Sequence, residues 1–402
     1  MNNKVSSSKH STFSIPVADV MTQLPTQFFA TLVQNVNREI AAGHDVINLG
    51  QGNPDTPTPE HIVKALQQAA ANPLYHKYSP FTGYRFLKEA ITQRYLEDYG
   101  VELDPDTEVA ILFGGKTGLV ELPQLLLNPG DLCLVPDPGY PDYWSGVALA
   151  KAKMSFMPLL EQNGYLPDYG SIPESDRARA KLMYLNYPNN PTSATAPLSF
   201  YEKTVEFARH YQIVVASDFA YGAIGFDGER PVSFLQAAGA KDVGIEFYTL
   251  SKTYNMAGWR VGFALGNADM ISQINLLQDH MYVSLFGGIQ EAAATALTSS
   301  QDCVAELVDR YEARRNAFFQ ALADIGWKAE APKGSFFSWL PVPEGFTSAS
   351  FAELLLREAK VAVAPGIGFG SHGEGYVRVG LLSTEERLVE AAQRIGRLNL
   401  FR

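Results

Sequence analysis

Short apolar runs of strand length alternate along this chain with stretches whose apolar residues recur at helical spacing. The strand-like runs are Val46–Leu49, Glu108–Phe113, Leu132–Val135, Met154–Met157, Leu182–Leu185, Ile213–Ser217, Phe247–Leu250 and Arg260–Ala264. Helical spacing marks Phe86–Tyr99 and Phe200–His210. Near the start it marks Pro25–Ala42, where Phe29, Leu32, Val33, Val36 and Ile40 share one face. This alternation predicts an α/β protein with a mostly parallel sheet covered by helices. After about Ala292 the texture changes. A long charged helix, Cys303–Ile325, precedes a strand, a helix, two strands and the helical stretch Glu385–Leu398. That order predicts a smaller α+β domain over 292–402 and a large domain over 46–291. Residues 1–45 are expected to form an arm and helix that pack with the small domain. In sheets of this kind, ligands collect at the carboxyl ends of the strands.

Composition narrows the class. Of 402 residues, 46% are hydrophobic and 19% charged, enough to bury a sizeable core, which excludes a disordered acidic chain. A net charge of −11 repels phosphodiester backbones, and no basic patch offsets it, so no nucleic-acid partner is expected. The weakly charged stretch Met281–Gln301 is interrupted by Gln290 and Glu291, so it reads as one packed helix and not as a membrane span. The polar start, residues 1–12, reads as a loose tail without an export signal, and the expected location is cytoplasmic. Cys133 and Cys303 are too few for a disulfide framework or a zinc ribbon. Both read as small core residues, and no metal site is expected.

Several glycine motifs fail on inspection. Gly114-Gly115-Lys116-Thr117 looks like the end of a phosphate loop, but Ala110 stands where that loop needs its first glycine. Gly368, Gly370 and Gly373 have dinucleotide spacing, yet the strand-like Tyr376–Gly380 follows where a helix must open. Metalloprotease and esterase signatures are absent.

One constellation holds together. Lys252 follows the apolar run Tyr248–Leu250, and a lysine in such surroundings loses its proton more readily than a solvated one, as Schiff-base chemistry with an aldehyde requires. Alone, an ordinary surface lysine on a loop would be the better explanation. Asp218 and Tyr221, however, follow the strand Ile213–Ser217, Asn190 follows Leu182–Leu185, and Gly114–Thr117 follow Glu108–Phe113. Complementary polar groups at four strand ends are hard to explain as solvated loops.

With Ser251, Lys252, Gly258, Arg260 and Gly262 in one run, the chain resembles the class I/II aminotransferases, fold-type-I enzymes that use pyridoxal 5′-phosphate. The resemblance extends from about Leu24 to the end. It implies a seven-stranded, mostly parallel sheet and a covalent bond from Lys252 to the cofactor. Asp218 would pair with the pyridine nitrogen, and Tyr221 and Asn190 would hydrogen-bond the ring's 3′-oxygen. The backbone N–H groups of Gly115 and Lys116, with Ser251 and Arg260, would cradle the phosphate, and Tyr140 would stack on the ring. Arg378 would grip the substrate α-carboxylate, with Gly52 and Asn190 beside it. Tyr78 corresponds to a tyrosine that reaches the phosphate across a homodimer interface, giving composite sites. Ser193, Tyr187, Phe219 and Ala220 depart from the usual family residues; none is a proposed chemical group, so an intact site with altered loop geometry is expected.

The implied reaction is ping-pong transamination between an amino acid and a 2-oxo acid. The segment Ile271–Ser299, part of which could reach the site from the partner subunit, has no Lys or Arg for a distal carboxylate and offers His280, Met281, Tyr282, Leu285 and Phe286, which favours an apolar or neutral side chain. At finer level the chain is similar to bacillus-type methionine-salvage aminotransferases acting on 4-methylthio-2-oxobutanoate. Alternatives are an arylpyruvate-type aminotransferase of antibiotic biosynthesis, a diaminopimelate-type enzyme, a C–S lyase, an oxidoreductase and a non-catalytic regulatory domain.

Overall fold

The computed structural model describes residues 15–25 and 28–401. The expected tail over 1–12 and the Phe29 side chain lie outside the described residues. Twelve strands are described: β1 (Ile47–Asn48), β2 (Val109–Leu112), β3 (Leu132–Asp137), β4 (Lys153–Pro158), β5 (Ala180–Asn186), β6 (Val214–Asp218), β7 (Gly244–Thr249), β8 (Gly262–Gly266), β9 (Phe337–Pro341), β10 (Val361–Ala362), β11 (Ala364–Pro365) and β12 (Tyr376–Gly380). Seven of them form the main sheet in the order β2-β8-β7-β6-β5-β3-β4. Only β8 runs antiparallel to its neighbours, β2 and β7. The fold is therefore α/β with a mainly parallel seven-stranded sheet.

Successive side chains of a strand point to opposite faces, and helices cover both faces, so alternate residues feed two cores. Ile111, Leu134, Met183, Val215 and Tyr248 enter one, and Leu112, Cys133, Tyr184, Ala216 and Phe247 the other. Each such large apolar side chain contributes roughly 1.5–3 kcal/mol on burial.

A further core gathers Phe318, Leu340, Phe351, Val361, Val377 and Leu388 beneath the antiparallel sheet β11-β12-β9. Ile47 and Leu49 belong to this core, and β1 pairs in parallel with β10. The strand expected at 46–49, grouped with the large part, is thus hydrogen-bonded to the carboxy-terminal part. The amino-terminal helix is Phe28–Ala41, with Val36 buried and Leu32 against the cluster of Trp339, Ala364 and Phe369.

Three expectations change. The stretch 281–301 is not one helix: Ala268–Met281 ends, an irregular segment follows, and Gly287–Thr298 begins. The break brings Gly287 against Tyr75 so closely that a Cβ would lie 2.2 Å from its ring. β8 starts at Gly262 and not at Arg260, because Arg260 takes a left-handed φ of +58°. Where two strands were expected after the helix Ser348–Leu354, there are three, since Val363 separates β10 from β11. Among the described residues, no helix is long and apolar enough to cross a membrane.

Candidate active site

The carboxyl ends of β5, β6 and β7 face a cavity of about 320 Å³. Thr249 ends β7, and its Oγ1 accepts from the Ser251 N–H, starting a single helical turn, Leu250–Thr253. That turn projects Lys252, whose Nζ donates to the Gly52 carbonyl at 2.9 Å and lies 5.5 Å from the Phe336 ring centre. Burial is the main cause that pulls its pKa down to about 8; the cations Arg378 and Arg260 add to this, and Asp218 opposes it. A lysine so placed is a nucleophile and a base near neutral pH.

Asp218 is the last residue of β6, buried and in register with Asn186, the last residue of β5. Asn186 Nδ2 donates to the Asp218 carbonyl at 2.7 Å. The carboxylate accepts from Tyr143 Oη at 2.6 Å and from the Ala220 N–H at 3.3 Å. Burial pushes its pKa up to about 6, and the Tyr143 hydrogen bond holds it from rising further. Tyr143 is fixed in turn by stacking on Tyr184, with ring centres 4.5 Å apart.

The helix Gly115–Leu126 opens directly on the cavity and aims its first N–H groups there. Two glycines make this approach possible. Gly114 has φ +86°, and a Cβ on it would lie 2.4 Å from the Arg260 guanidinium. A Cβ on Gly262 would lie 2.6 Å from the Gly115 nitrogen. Arg260 donates to the Ala257 carbonyl, and Ser251 is buried with its Oγ accepting from Thr249 Oγ1 at 2.8 Å. The Lys116 ammonium pairs with Asp142 at 2.9 Å, so this residue offers the cradle its backbone. A helix start, a guanidinium and a hydroxyl together form a receptor for a dianion.

Opposite the cradle, Arg378 on β12 lies 2% exposed between two rings, its guanidinium 4.0 Å from the Phe337 centre and 4.7 Å from that of Phe369. It donates to Asn190 Oδ1 at 2.7 Å and to the Gly50 carbonyl at 3.1 Å. Burial lowers its pKa to about 10. Gly52 must lack a side chain, since a Cβ would lie 2.9 Å from the Phe337 ring. Tyr140 and Tyr221 complete the wall. Tyr221 stands edge-on to Phe336 and Phe337, and desolvation raises both phenol pKa values.

The cavity thus brings together Gly52, Gly115, Lys116, Tyr140, Asn190, Asp218, Tyr221, Ser251, Lys252, Arg260 and Arg378. Tyr78 is not among them: it is 88% exposed on this chain's surface. Of the residues offered for the substrate side chain, Met281 and Phe286 are exposed, Leu285 is buried, and Tyr282 bonds Glu121; none lines the cavity. Sequence reasoning missed Tyr143, Asn186, Thr249 and Phe337. Tyr143 stands three residues after Tyr140 at a helix start, and Asn186 and Thr249 end strands, so position gave a signal for these three. Phe337 comes from a distant strand of the other sheet and had none. Among the described residues, no group of acidic, histidine or cysteine side chains is arranged to hold a metal ion.

The profile of the class I and II aminotransferases matches residues 44–395. The chain belongs to this family. It is 67% identical over 382 residues to the L-glutamine–4-(methylsulfanyl)-2-oxobutanoate aminotransferase of Bacillus subtilis (strain 168), covering 95% of this chain and 96% of that one. Transaminase BacF of the same organism is 50% identical over 389 residues, covering 96% and 97% of the two chains. The substrate-bound structure of BacF matches with a TM-score of 0.92, covering 96% of this aminotransferase and 98% of that chain. This aminotransferase is accordingly an enzyme of the pyridoxal-phosphate-dependent transaminase class. The lyase, oxidoreductase and regulatory readings are less supported than transamination.

Proposed function

We propose that this aminotransferase transfers an amino group from glutamine to 4-(methylsulfanyl)-2-oxobutanoate, forming methionine. The observation that carries this reading is the 67% identity, spread over nearly the whole of both chains, to the enzyme named for those substrates. The segment Ile271–Ser299 carries no Lys or Arg, so a partner subunit would bring no cation from it to a second carboxylate.

Pyridoxal 5′-phosphate fits the cavity on three observations. A Cβ at 114 or 262 would strike the Arg260 guanidinium or the Gly115 nitrogen, two of the groups that form the dianion cradle. A buried carboxylate at 218 has the chemistry to pair with a protonated ring nitrogen. A lysine amine with its pKa near 8 faces the same space. Gly115, Lys116, Ser251 and Arg260 would hold the phosphate, Tyr140 the ring face, Asn190 and Tyr221 the 3′-oxygen, and Lys252 the aldehyde carbon. When bound, the cofactor supplies an electron sink for the carbanion at the substrate α-carbon.

The chain's own groups do the rest. Arg378 binds the α-carboxylate and so aims the α-hydrogen at Lys252, helped by the close approach of the Gly52 backbone. Lys252 Nζ would take that proton and pass it on to the cofactor's side within the same half-reaction, and in the reverse half would bring one back to the α-carbon. Aromatic walls from Phe337 and Tyr221 limit water around the reacting atoms.

The active unit in this reading is a homodimer, to whose second site Tyr78 contributes. Tyr78 is 88% exposed, and the large apolar side chains Leu74, Phe81, Met281 and Phe286 are exposed too. We read 46–291, less the β1 strand that pairs with β10, as the cofactor-binding domain, and 292–402 as a second, smaller domain. A cytoplasmic location accords with two free cysteines, Cys133 and Cys303.

Half-reactions test the proposal. Holoenzyme mixed with single amino acids should change its cofactor absorption quickly with methionine and glutamine and slowly with aspartate. A fast change with aspartate and none with methionine would refute the substrate assignment. Fast phenylalanine with inert glutamine would favour the arylpyruvate-type alternative.

A further inference from the structure

A second buried carboxylate stands at the rim of this site, outside the roles above. Asp137 is the last residue of β3, 2% exposed and three residues before Tyr140. A carboxylate taken out of water needs several hydrogen bonds to offset the loss of hydration. Those that Asp137 receives come from one loop of the carboxy-terminal part, residues 366–373. Ser371 Oγ donates to Oδ2 at 2.7 Å, the His372 N–H to Oδ1 at 3.1 Å, and His372 Nδ1 lies 2.9 Å from Oδ2. The contact is tight enough to dictate sequence. Gly370 has φ +130°, and a Cβ on it would lie 2.0 Å from Asp137 Oδ1. Alongside, the Gly139 N–H donates to the Phe369 carbonyl at 2.8 Å.

The same loop carries Phe369, which stacks on the Arg378 guanidinium at 4.7 Å. Phe369 is fully buried beside Trp339, a place its ring can occupy only while the loop backbone is held there. We infer that Asp137 is a positioning residue for carboxylate recognition: it latches the loop 366–373 to the end of β3 and thereby holds Phe369 against Arg378. The inference rests on the reading of Arg378 as the receptor of the substrate carboxylate. It adds that the receptor's geometry is set from the large sheet, through a contact that also abuts the backbone leading to Tyr140. Carboxylate site and ring-stacking residue are then held in one frame.

The test uses holoenzyme carrying Asp137→Ala, Asp137→Asn or His372→Ala. The His372 side chain is 40% exposed, so its removal leaves the cores untouched even where Asp137→Ala fails to fold. Two probes separate the roles. 3-(Methylsulfanyl)propanoate has the carboxylate and no amine, and its Kd is read from tryptophan fluorescence, Trp339 being 6.0 Å from Phe369 between ring centres. Methoxyamine has the amine and no carboxylate, and its rate of bleaching the bound cofactor is read by absorbance.

A charge-assisted hydrogen bond corresponds to roughly tenfold or more in an equilibrium, so the carboxylate Kd should rise about tenfold in Asp137→Ala and about threefold in His372→Ala. Asp137→Asn, which keeps an acceptor oxygen, should recover part of the loss. The methoxyamine rate should stay within about twofold of wild type in all three, since no bond of the latch touches that chemistry. An unchanged carboxylate Kd in Asp137→Ala or, where that variant does not fold, in His372→Ala overturns the latch. So does an equal loss for both probes. Arg378→Ala is the separate control: a carboxylate Kd unaffected by that change would refute the receptor reading itself and leave the latch nothing to position.

Discussion

Tyr143→Phe isolates the shorter of the two hydrogen bonds that offset the burial of the Asp218 carboxylate. The ring stacks on Tyr184 at 4.5 Å and 10°, and phenylalanine preserves that packing, so the substitution removes a hydroxyl and little else. What disappears is a 2.6 Å hydrogen bond to a buried carboxylate, leaving the weaker 3.3 Å contact from the Ala220 N–H. A hydrogen bond to a charged group contributes about 1.5–3 kcal/mol, and each pKa unit is about 1.36 kcal/mol, so the carboxyl should rise by about one to two units. Starting from about 6, Asp218 would titrate between roughly 7 and 8 in the cofactor-free protein. Only the ionised form pairs with a ring nitrogen that carries a proton, so the apparent cofactor affinity is divided by one plus the ratio of protonated to ionised carboxyl. At pH 6 the variant should therefore bind pyridoxal 5′-phosphate roughly five to fifty times more weakly than wild type, while near pH 8.5 the two should nearly coincide. Taking the ratio of the two proteins cancels the ionisations of the cofactor itself. Fluorescence titration of the cofactor-free proteins at both pH values measures it. A defect of equal size at pH 6 and 8.5 would mean that Tyr143 acts through packing, and no defect at either would mean that the hydroxyl does not control the carboxylate.

Other outcomes follow from the same geometry. Lys252→Ala should lose the borohydride-fixed cofactor label that wild type retains at this residue, as mass spectrometry of the labelled peptide would show; label found elsewhere would reassign the lysine. Arg378→Lys should raise KM for amino acids by about ten- to a hundredfold, because an ammonium cannot reproduce the planar, ring-stacked fork; steady-state kinetics check it, and a wild-type KM would contradict it. Gly114→Ala should weaken cofactor binding at least tenfold while leaving the fold intact by circular dichroism, since φ +86° strains an alanine and its Cβ would push the Arg260 guanidinium out of the cradle. Glu246 is fully buried on β7, and burial raises its pKa to about 7 against hydrogen bonds from Ser233, Ser217, the Phe234 N–H and Tyr95. The folded state then holds this proton where the unfolded state has released it, so stability attributable to Glu246 falls as pH rises from about 4.5 to about 7, by up to about 3 kcal/mol. Urea midpoints at pH 5 and pH 8 should diverge more for wild type than for Glu246→Gln; parallel behaviour of the two would refute the assignment.

Local sequence determined the alternation of strands and helices, and with it the α/β class, because pleat and helix periods print themselves directly on apolar spacing. It also marked the strand ends: Asp218, Asn190 and Lys252 are polar residues at or just beyond apolar runs, and such positions in a parallel sheet converge at one edge. What it left open were features that depend on distant chain segments meeting. Arg378 stood out as a charge within an apolar strand, but its partners arrive from three places: Phe337 from the paired strand β9, Phe369 from the loop before β12, and Asn190 from beyond β5 of the main sheet. The antiparallel pairing of β8, the alliance of β1 with β10 and the Asp137 contact with the loop 366–373 likewise join residues far apart in sequence. Tyr143 shows the same division at the scale of one atom. Its helical position could be read from neighbouring residues, whereas the direction of its hydroxyl was decided by the Tyr184 ring and the end of β6, both supplied by other strands. Periodicity acts over a few residues and survives in any window of the chain, but hydrogen bonds and ring contacts across the fold exist only once the sheets have packed.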